Sequence, residues 1–382
     1  MYSVSGYGRM IADRVRTDAY ARALRLAVNS ESVVLDIGTG TGIFAMLACR
    51  FGARKVYAVE PSDAIEVARR LAADNGFADR IEFIQALSTD AALPERADVV
   101  ISDLRGALPL FQHHIRSIAD ARRRLLAPGA TLIPQKDVLW LSLAEAAELY
   151  RRHMTPADEA AYGFDMSAAR EVVANTWRTA GGKLEQLLLP PRCWATLDYA
   201  TIESPNVGAE VRWTAERGGT AHGVVAWFDA VLGEGVTLSN APGGPELIYG
   251  QSFFPLLRPV ELAAGDGVAV RLCADLVGED YIWRWETRVL ERGDPARVKA
   301  HFKQTTFRGV PLSPERLRRQ SSAHVPELGE DGEADRFILS LMDGTRPLAE
   351  IAGQLSERFP EKFAAPGSAL NRVGELSSRY SR

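Results

Sequence analysis

Cysteine is scarce in this chain: three among 382 residues, at Cys49, Cys193 and Cys273. An odd number of widely spaced thiols argues against a disulfide framework and a cysteine-built metal cluster, and it fits a reducing, cytoplasmic setting. Long apolar runs are missing too. No stretch of about 18 apolar residues occurs, which excludes a membrane-spanning helix. The polar opening MYSVSGYGRMIADRVRTDAY has no apolar segment of the kind a secretory signal needs. Charge of one sign is equally absent: 45 Lys and Arg stand against 49 Asp and Glu, a net −4 that is too weak a field for bulk nucleic-acid or membrane binding. No internal repeat, low-complexity tract or metal-ligand pattern is visible, so no metal is expected. What is present is an ordinary globular composition, 46% hydrophobic, in a chain too long for one core. Two or three domains are expected.

Residues 1–30 carry helical spacing at Met10, Ile11, Val15, Tyr20, Leu24 and Leu26. From 31 to 140, strands and helices alternate. SVVLDIG, KVYAVE, RIEFIQA, ADVVISD and ATLIPQ read as strands, and Thr41–Arg50 and Asp63–Asn75 as helices between them. That alternation predicts a parallel sheet covered by helices. Near TLIPQKDVLWLSLAEA the texture changes. Apart from a helical stretch around 144–175, residues 140–300 give short alternating runs such as EVRWTAE, AHGVVAWFDAVL and YIWRWETRVL, punctuated by Gly, Pro and Asn. These predict an antiparallel sandwich or barrel, with Trp213, Trp227, Trp283 and Trp285 filling its core. A polar acidic stretch follows, and the tail from Arg336 turns helical again.

The chemistry concentrates in VVLDIGTGTGIF. Gly38, Gly40 and Gly42 follow the first strand directly, where absent side chains let backbone approach a ligand and adopt positive φ. The dinucleotide pattern needs G-x-G-x-x-G over a helix N-terminus. Here Ile43 holds the place of its third glycine, and Asp36 within the turn would repel a pyrophosphate while suiting an ammonium. Glu60 ends the second strand, where a carboxylate accepts ribose hydroxyls. S-adenosyl-L-methionine has a ribose, an amino-acid tail and a sulfonium but no phosphate, and it suits this turn better than NAD does. A generic mononucleotide turn is the bland alternative.

At this point the sequence resembles the protein arginine methyltransferases. The resemblance rests on VVLDIGTGTGIFAMLACRFGARKVYAVEPS, on MIADRVRTDAY, on LLAPGATLIPQ, on YGFDMS at Tyr162–Ser167 and on HGVVAWFDAVL, in that order over roughly residues 1–300. It implies an α/β Rossmann-like methyltransferase domain followed by an antiparallel β-barrel domain, and a homodimer joined through the YGFDMS region. It implies that Met10 packs near the sulfonium and that Arg16 pairs with the donor's carboxylate. It implies that Ser88 and Thr89 contact the adenine, with Thr89 standing where the family has a glutamate.

The departures bear on the acceptor. The family clamps a guanidinium between two glutamates of one loop. In SDLRGALPLFQHH the first is Asp103 and the second Gln112. The family's Thr-His-Trp loop is also lost, the nearest segment being LIYGQSFF around Ile248–Gln251. A guanidinium stays charged at any working pH and favours bidentate anions. One anion has become an amide, and Arg105 adds a like charge, which costs on the order of a kcal/mol at an effective dielectric of about 20. Asp103 is the candidate base or hydrogen-bond acceptor, Gln112 a substrate contact, and Arg105 a holder for a substrate carboxylate. His113 and His114 are further candidates for proton transfer, because the ordinary range of a histidine lies near neutral pH. The competing readings pair Asp103 with Arg105, and put one histidine in the core and the other in solvent.

The tail RFILSLMDGTRPLAEIAGQLSERFP resembles the helical part of PqqD-like modules, which implies capture of a peptide leader. A helical cap on the barrel is the alternative. Ile338, Leu341, Leu348, Ile351, Ala352 and Leu355 form its apolar stripes, Gly344 suits a helix C′ position and Thr345 an N-cap. The expected domains are 1–30 (donor-covering helices), 31–137 (Rossmann-like), 138–318 (barrel, with a helical arm near 144–175), 319–335 (linker) and 336–382 (PqqD-like module). The expected function is S-adenosylmethionine-dependent methylation of a nucleophile, preferably nitrogen, on a peptide or protein such as a natural-product precursor. Arginine methylation, small-molecule amine or carboxylate methylation, and an inactive donor-binding scaffold are the other readings.

Overall fold

The first strands follow from their composition. VVLDI is buried along its whole length, as a strand covered on both faces must be. In a computed structural model describing residues 3–158, 163–180 and 186–381, strands β1 (Val33–Ile37), β2 (Lys55–Val59), β3 (Ile81–Ile84), β4 (Ala97–Ser102) and β5 (Leu126–Ile133) form a parallel sheet. Its order is β3-β2-β1-β4-β5. Helices α1 (Val4–Ala12) and α2 (Arg14–Ala27) precede it; α3 (Ile43–Arg50), α4 (Ala64–Asp74) and α5 (His114–Arg124) belong to it. Asp13 separates α1 from α2 and caps the latter, its carboxylate accepting from the Arg16 amide.

The second half is antiparallel. Strands β6 (Lys136–Glu145), β7 (Arg178–Ala180), β8 (Gln186–Leu187), β9 (Arg192–Asp198), β10 (Val207–Thr214), β11 (Gly219–Gly233), β12 (Val236–Ser239), β13 (Gln251–Leu262), β14 (Gly267–Val277), β15 (Asp280–Glu291) and β16 (Asp294–Thr305) form two sheets. One runs β7-β13-β11-β6-β8 with β9 and β12 alongside, the other β10-β14-β15-β16. An arm of α6 (Ala147–Asp158) and α7 (Ser167–Ala174) interrupts them. Trp213, Trp283 and Trp285 lie in the core shared with the parallel sheet, whereas Trp227 packs with Tyr150, Met154 and Phe253 in a separate cluster. Tyr162 of YGFDMS lies outside the described residues.

Leu312–Arg382 forms a separate compact unit. It holds α8 (Pro314–Arg319), α9 (Glu330–Leu341), α10 (Leu348–Arg358) and α11 (Ser368–Tyr380), with Ile338, Ile351, Leu355 and Val373 buried among the last three. Helix α9 begins within the acidic stretch, which is therefore shorter than 319–335 as a linker. Thr345 does not cap α10; Pro347 does, and Thr345 donates its hydroxyl to Asp343 at 2.6 Å. Gly344, at φ +83°, sits two residues past the Met342 cap of α9 rather than one. Leu348 stays 38% exposed and leaves the apolar stripe. No helix among the described residues is long and apolar enough to cross a membrane.

Candidate active site

Strand order reverses between β1 and β4, so their carboxyl ends flank the crevice where open parallel sheets bind ligands. Beyond β1 the chain turns through Gly38, Gly40 and Gly42 at φ +75°, +53° and +85°. Only glycine adopts these angles without strain. Space forbids a side chain as well: a Cβ on Gly38 would lie 2.4 Å from Leu104 Cδ2, and one on Gly40 2.4 Å from the Tyr7 ring. The turn is thus covered by α1 on one side and by the loop after β4 on the other.

Asp36 is buried within β1 and accepts the Thr39 hydroxyl at 2.6 Å. Burial pushes its carboxyl up to about 7, against the pull of that hydroxyl and of the Ala45 amide. Glu60, just past β2, accepts the Gly40 amide on one oxygen at 3.1 Å and the Ser62 amide on the other at 3.0 Å. Two amides fix the carboxylate plane and leave a lone pair on each oxygen, as a vicinal diol requires. Ser88 is buried and Thr89 exposed; both carbonyls accept the Arg124 guanidinium, at 3.0 and 2.9 Å, which ties the loop after β3 to α5.

The loop after β4 joins a closed polar cluster. Asp103 Oδ2 accepts Arg16 Nε at 2.6 Å, and Oδ1 accepts the Tyr20 hydroxyl at 2.9 Å. The Tyr249 hydroxyl reaches both oxygens, at 2.8 and 2.6 Å. Arg105 Nε lies 3.2 Å from Oδ1 without hydrogen-bond geometry, while Arg105 Nη1 donates to Asp137 at 3.1 Å. Tyr199 donates to the other Asp137 oxygen at 2.5 Å and meets His114 Nε2 at 3.1 Å. The Arg105 guanidinium also stacks on Phe228, 4.8 Å from the ring centre.

Several sequence expectations change here. Arg105 has no exposed side-chain surface and faces Asp137, so it does not present a cation to a substrate carboxylate. His114 is in the core, where burial, then Arg105, push its imidazole down to about 3. His113 is not gathered with Asp103; its ring meets the exposed Glu279 at 2.9 Å. Gln112 is exposed and sits at φ +43°, the one described non-glycine residue with positive φ. Arg16 and Met10 do come together, through Arg16 Nη1 and the Met10 carbonyl at 3.1 Å. Sequence reasoning missed Tyr20, Asp137, Tyr199 and Tyr249. The one available signal was a loop arginine beside an aspartate, which demands a second anion if buried.

The turn that tolerates no Cβ, the oriented Glu60 carboxylate, and the Arg16 cation nearby fit an adenosine carrying an amino-acid tail. Comparisons with known proteins agree. Residues 17–134 match the model of ribosomal protein L11 methyltransferase (PrmA), and 138–276 the arginine methyltransferase oligomerization subdomain. Protein arginine N-methyltransferase 2 of Homo sapiens is 32% identical over 318 residues, 77% of this chain and 72% of that protein. The Mus musculus protein of the same name is 32% identical over 277 residues, 68% of this chain and 61% of that protein. Among solved structures, the Trypanosoma brucei PRMT1 enzyme-prozyme heterotetrameric complex with AdoHcy superposes with a TM-score of 0.69 at 24% identity, over 78% of this chain and 96% of that one. Arabidopsis thaliana protein arginine methyltransferase 10 gives 0.68 at 25%, over 79% and 97%.

Proposed function

The chain belongs to the protein arginine methyltransferase family of S-adenosylmethionine-dependent enzymes, and from that premise we propose that it methylates a nucleophilic nitrogen on a peptide or protein. The observation that carries this reading is the convergence, at one switch-point crevice, of a diol-oriented Glu60 and a buried Arg16 that joins the donor side to Asp103. S-adenosylmethionine supplies, when bound, a methyl group on a positively charged sulfur, already activated for displacement. Glu60 holds the ribose hydroxyls, Arg16 the donor's carboxylate, Met10 the neighbourhood of the sulfur, and Ser88 with Thr89 the adenine edge. Asp103 orients Arg16 and Tyr249. Transfer of this kind depends first on positioning.

The antiparallel domain forms the acceptor side, and its match to an oligomerization subdomain supports a homodimer. The C-terminal bundle presents a peptide, a role supported by its separate core and its PqqD-like sequence. Arginine as acceptor is the second reading, favoured by the relatives' names. Incubation with a degenerate peptide library and methyl-labelled donor, followed by amino-acid analysis of the hydrolysate, tests both. Label on a side-chain nitrogen supports the proposal and its amino acid names the acceptor. Calorimetry that detects no binding of donor or S-adenosylhomocysteine overturns it.

A further inference from the structure

The Asp103 carboxylate is filled by the protein itself. A carboxylate has about four lone-pair sites. Tyr20, Tyr249 and Arg16 donate to the two oxygens of Asp103 at 2.6–2.9 Å, Arg16 bringing both Nε and Nη2 to Oδ2, and the Arg105 guanidinium lies alongside at 3.2 Å as a charge partner. The side chains of the two arginines, Asp103 and Asp137 are each 5% exposed or less. The charge count closes as well: Arg16 and Arg105 balance Asp103 and Asp137, and the zwitterionic tail of a bound donor product adds a carboxylate at Arg16 together with its own ammonium, which leaves the sum unchanged. The other titratable members are neutral. Burial, then the Asp103 carboxylate, raise the Tyr249 hydroxyl well above its usual range, so it stays a donor. Burial keeps His114 uncharged.

Tyr249 is the member contributed by the acceptor-side domain, and it is fixed from three directions. The Ile248 amide donates to Asp13 at 2.8 Å, Asn240 donates to the Gly250 carbonyl at 2.5 Å, and Phe228 meets the Tyr249 ring edge-on at 5.5 Å. Its hydroxyl therefore stays against the Asp103 oxygens, and a donor nitrogen of an incoming side chain that reached for the same carboxylate would have to displace it. A cation brought there finds no unpaired anion and no free carboxylate oxygen, and its desolvation goes uncompensated.

We propose that Tyr249 is the specificity-determining residue of the acceptor side, and that by occupying Asp103 in a charge-balanced cluster it selects an acceptor that is uncharged when it binds. The inference rests on the methyltransferase reading and deepens it. Chemically such an acceptor needs no strong base. Its lone pair forms the bond to the methyl carbon, the carbon–sulfur pair returns to sulfur, and the acceptor's surplus proton passes to solvent afterwards.

The test uses the full chain saturated with S-adenosylhomocysteine and two isosteric probes, Nα-acetyl-arginine amide and the uncharged Nα-acetyl-citrulline amide. In the wild type the arginine probe binds no more than about threefold tighter than citrulline. In Tyr249→Phe, which keeps volume and charge but frees a lone pair on Asp103, the ratio shifts toward arginine by tenfold or more. A tenfold arginine preference in the wild type overturns the proposal, and this result stands even if the variant fails to fold. An unchanged ratio in a folded variant overturns it too. So does the failure of both probes to bind either protein, because Asp103 would then not face the acceptor. Loss of S-adenosylhomocysteine binding in the preliminary titration sinks the methyltransferase reading instead, which keeps the two failures distinct.

Discussion

Arg105 and Asp137 meet at 3.1 Å with no exposed side-chain surface on either partner. One comes from the loop after β4 and the other from the start of β6, so the pair locks the parallel sheet to the antiparallel domain. Removing Asp137 leaves the buried Arg105 with the Asp103 contact at 3.2 Å alone, and breaking a buried pair costs about 3–5 kcal/mol, whereas replacing both partners by apolar residues of similar size is often neutral. Asp137→Ala is expected to lose about that much stability in urea unfolding, and Arg105→Met with Asp137→Leu to recover most of it. Additive losses in the double variant would show that the two side chains do not act as a pair.

The imidazole of His114 supplies a pH dependence with a definite sign. Burial, then Arg105, hold it down to about 3 in the folded chain, below the ordinary value of about 6.5. Its contribution is therefore fully present above about pH 6.5 and is lost as the pH falls toward the folded value, because only the unfolded chain takes up the proton in that window. Relative to His114→Gln, the wild type should lose stability at up to about 1.4 kcal/mol per pH unit below pH 6.5. Chemical denaturation at about pH 7.5 and 5 measures it; equal slopes would mean the folded imidazole titrates normally.

How much of this was legible beforehand depended on sequence distance. The five parallel strands were readable because each is a short apolar run closed by turn residues, and the glycine turn with Glu60 because its parts lie within about one strand–helix–strand unit. Strand β13 was unreadable: QSFFPLLRPVEL holds two prolines, which argue against a strand, yet the register shifts opposite them at Ala221 and Gly223 accommodate the chain. The outermost strand β16, DPARVKAHFKQT, escaped because its alternation is short: of its described residues only Ala300, Phe302 and Gln304 turn inward, and Lys299, His301 and Lys303 between them leave a weak apolar signal. The partners of Asp103 escaped because Tyr20, Arg16 and Tyr249 lie 83, 87 and 146 residues away. No local pattern encodes such a meeting. Arg105, read as substrate-facing from its loop position, was in fact drawn inward by an aspartate 32 residues later.

The C-terminal unit has its own buried cluster and begins at Leu312. A chain ending at Pro311 should therefore bind S-adenosylhomocysteine with wild-type affinity by calorimetry. If the bundle presents the peptide, the same truncation raises KM for the preferred peptide at least tenfold and leaves kcat within about twofold, since uniform binding is lost and not transition-state binding. An unchanged KM removes the bundle from substrate capture.

Gln112 offers the complementary gain. It is exposed, sits at φ +43° and immediately precedes the His113 that caps α5. Gln112→Glu keeps the side chain's size and backbone demand, and a carboxylate before a helix N-terminus is electrostatically favoured, so the fold should tolerate it. The new anion stands on the same loop as Asp103, whose own charge is balanced by Arg16 and Arg105. An exposed anion interacting with a cationic acceptor is worth about 1 kcal/mol at most, or about fivefold in kcat/KM. Arginine-containing peptides are expected to gain by about that factor over citrulline-matched competitors. The gain should shrink markedly between about 50 mM and 500 mM salt, as it must for a screened surface charge. A salt-independent gain would point to a direct buried contact, and no gain would place Gln112 away from the acceptor's path.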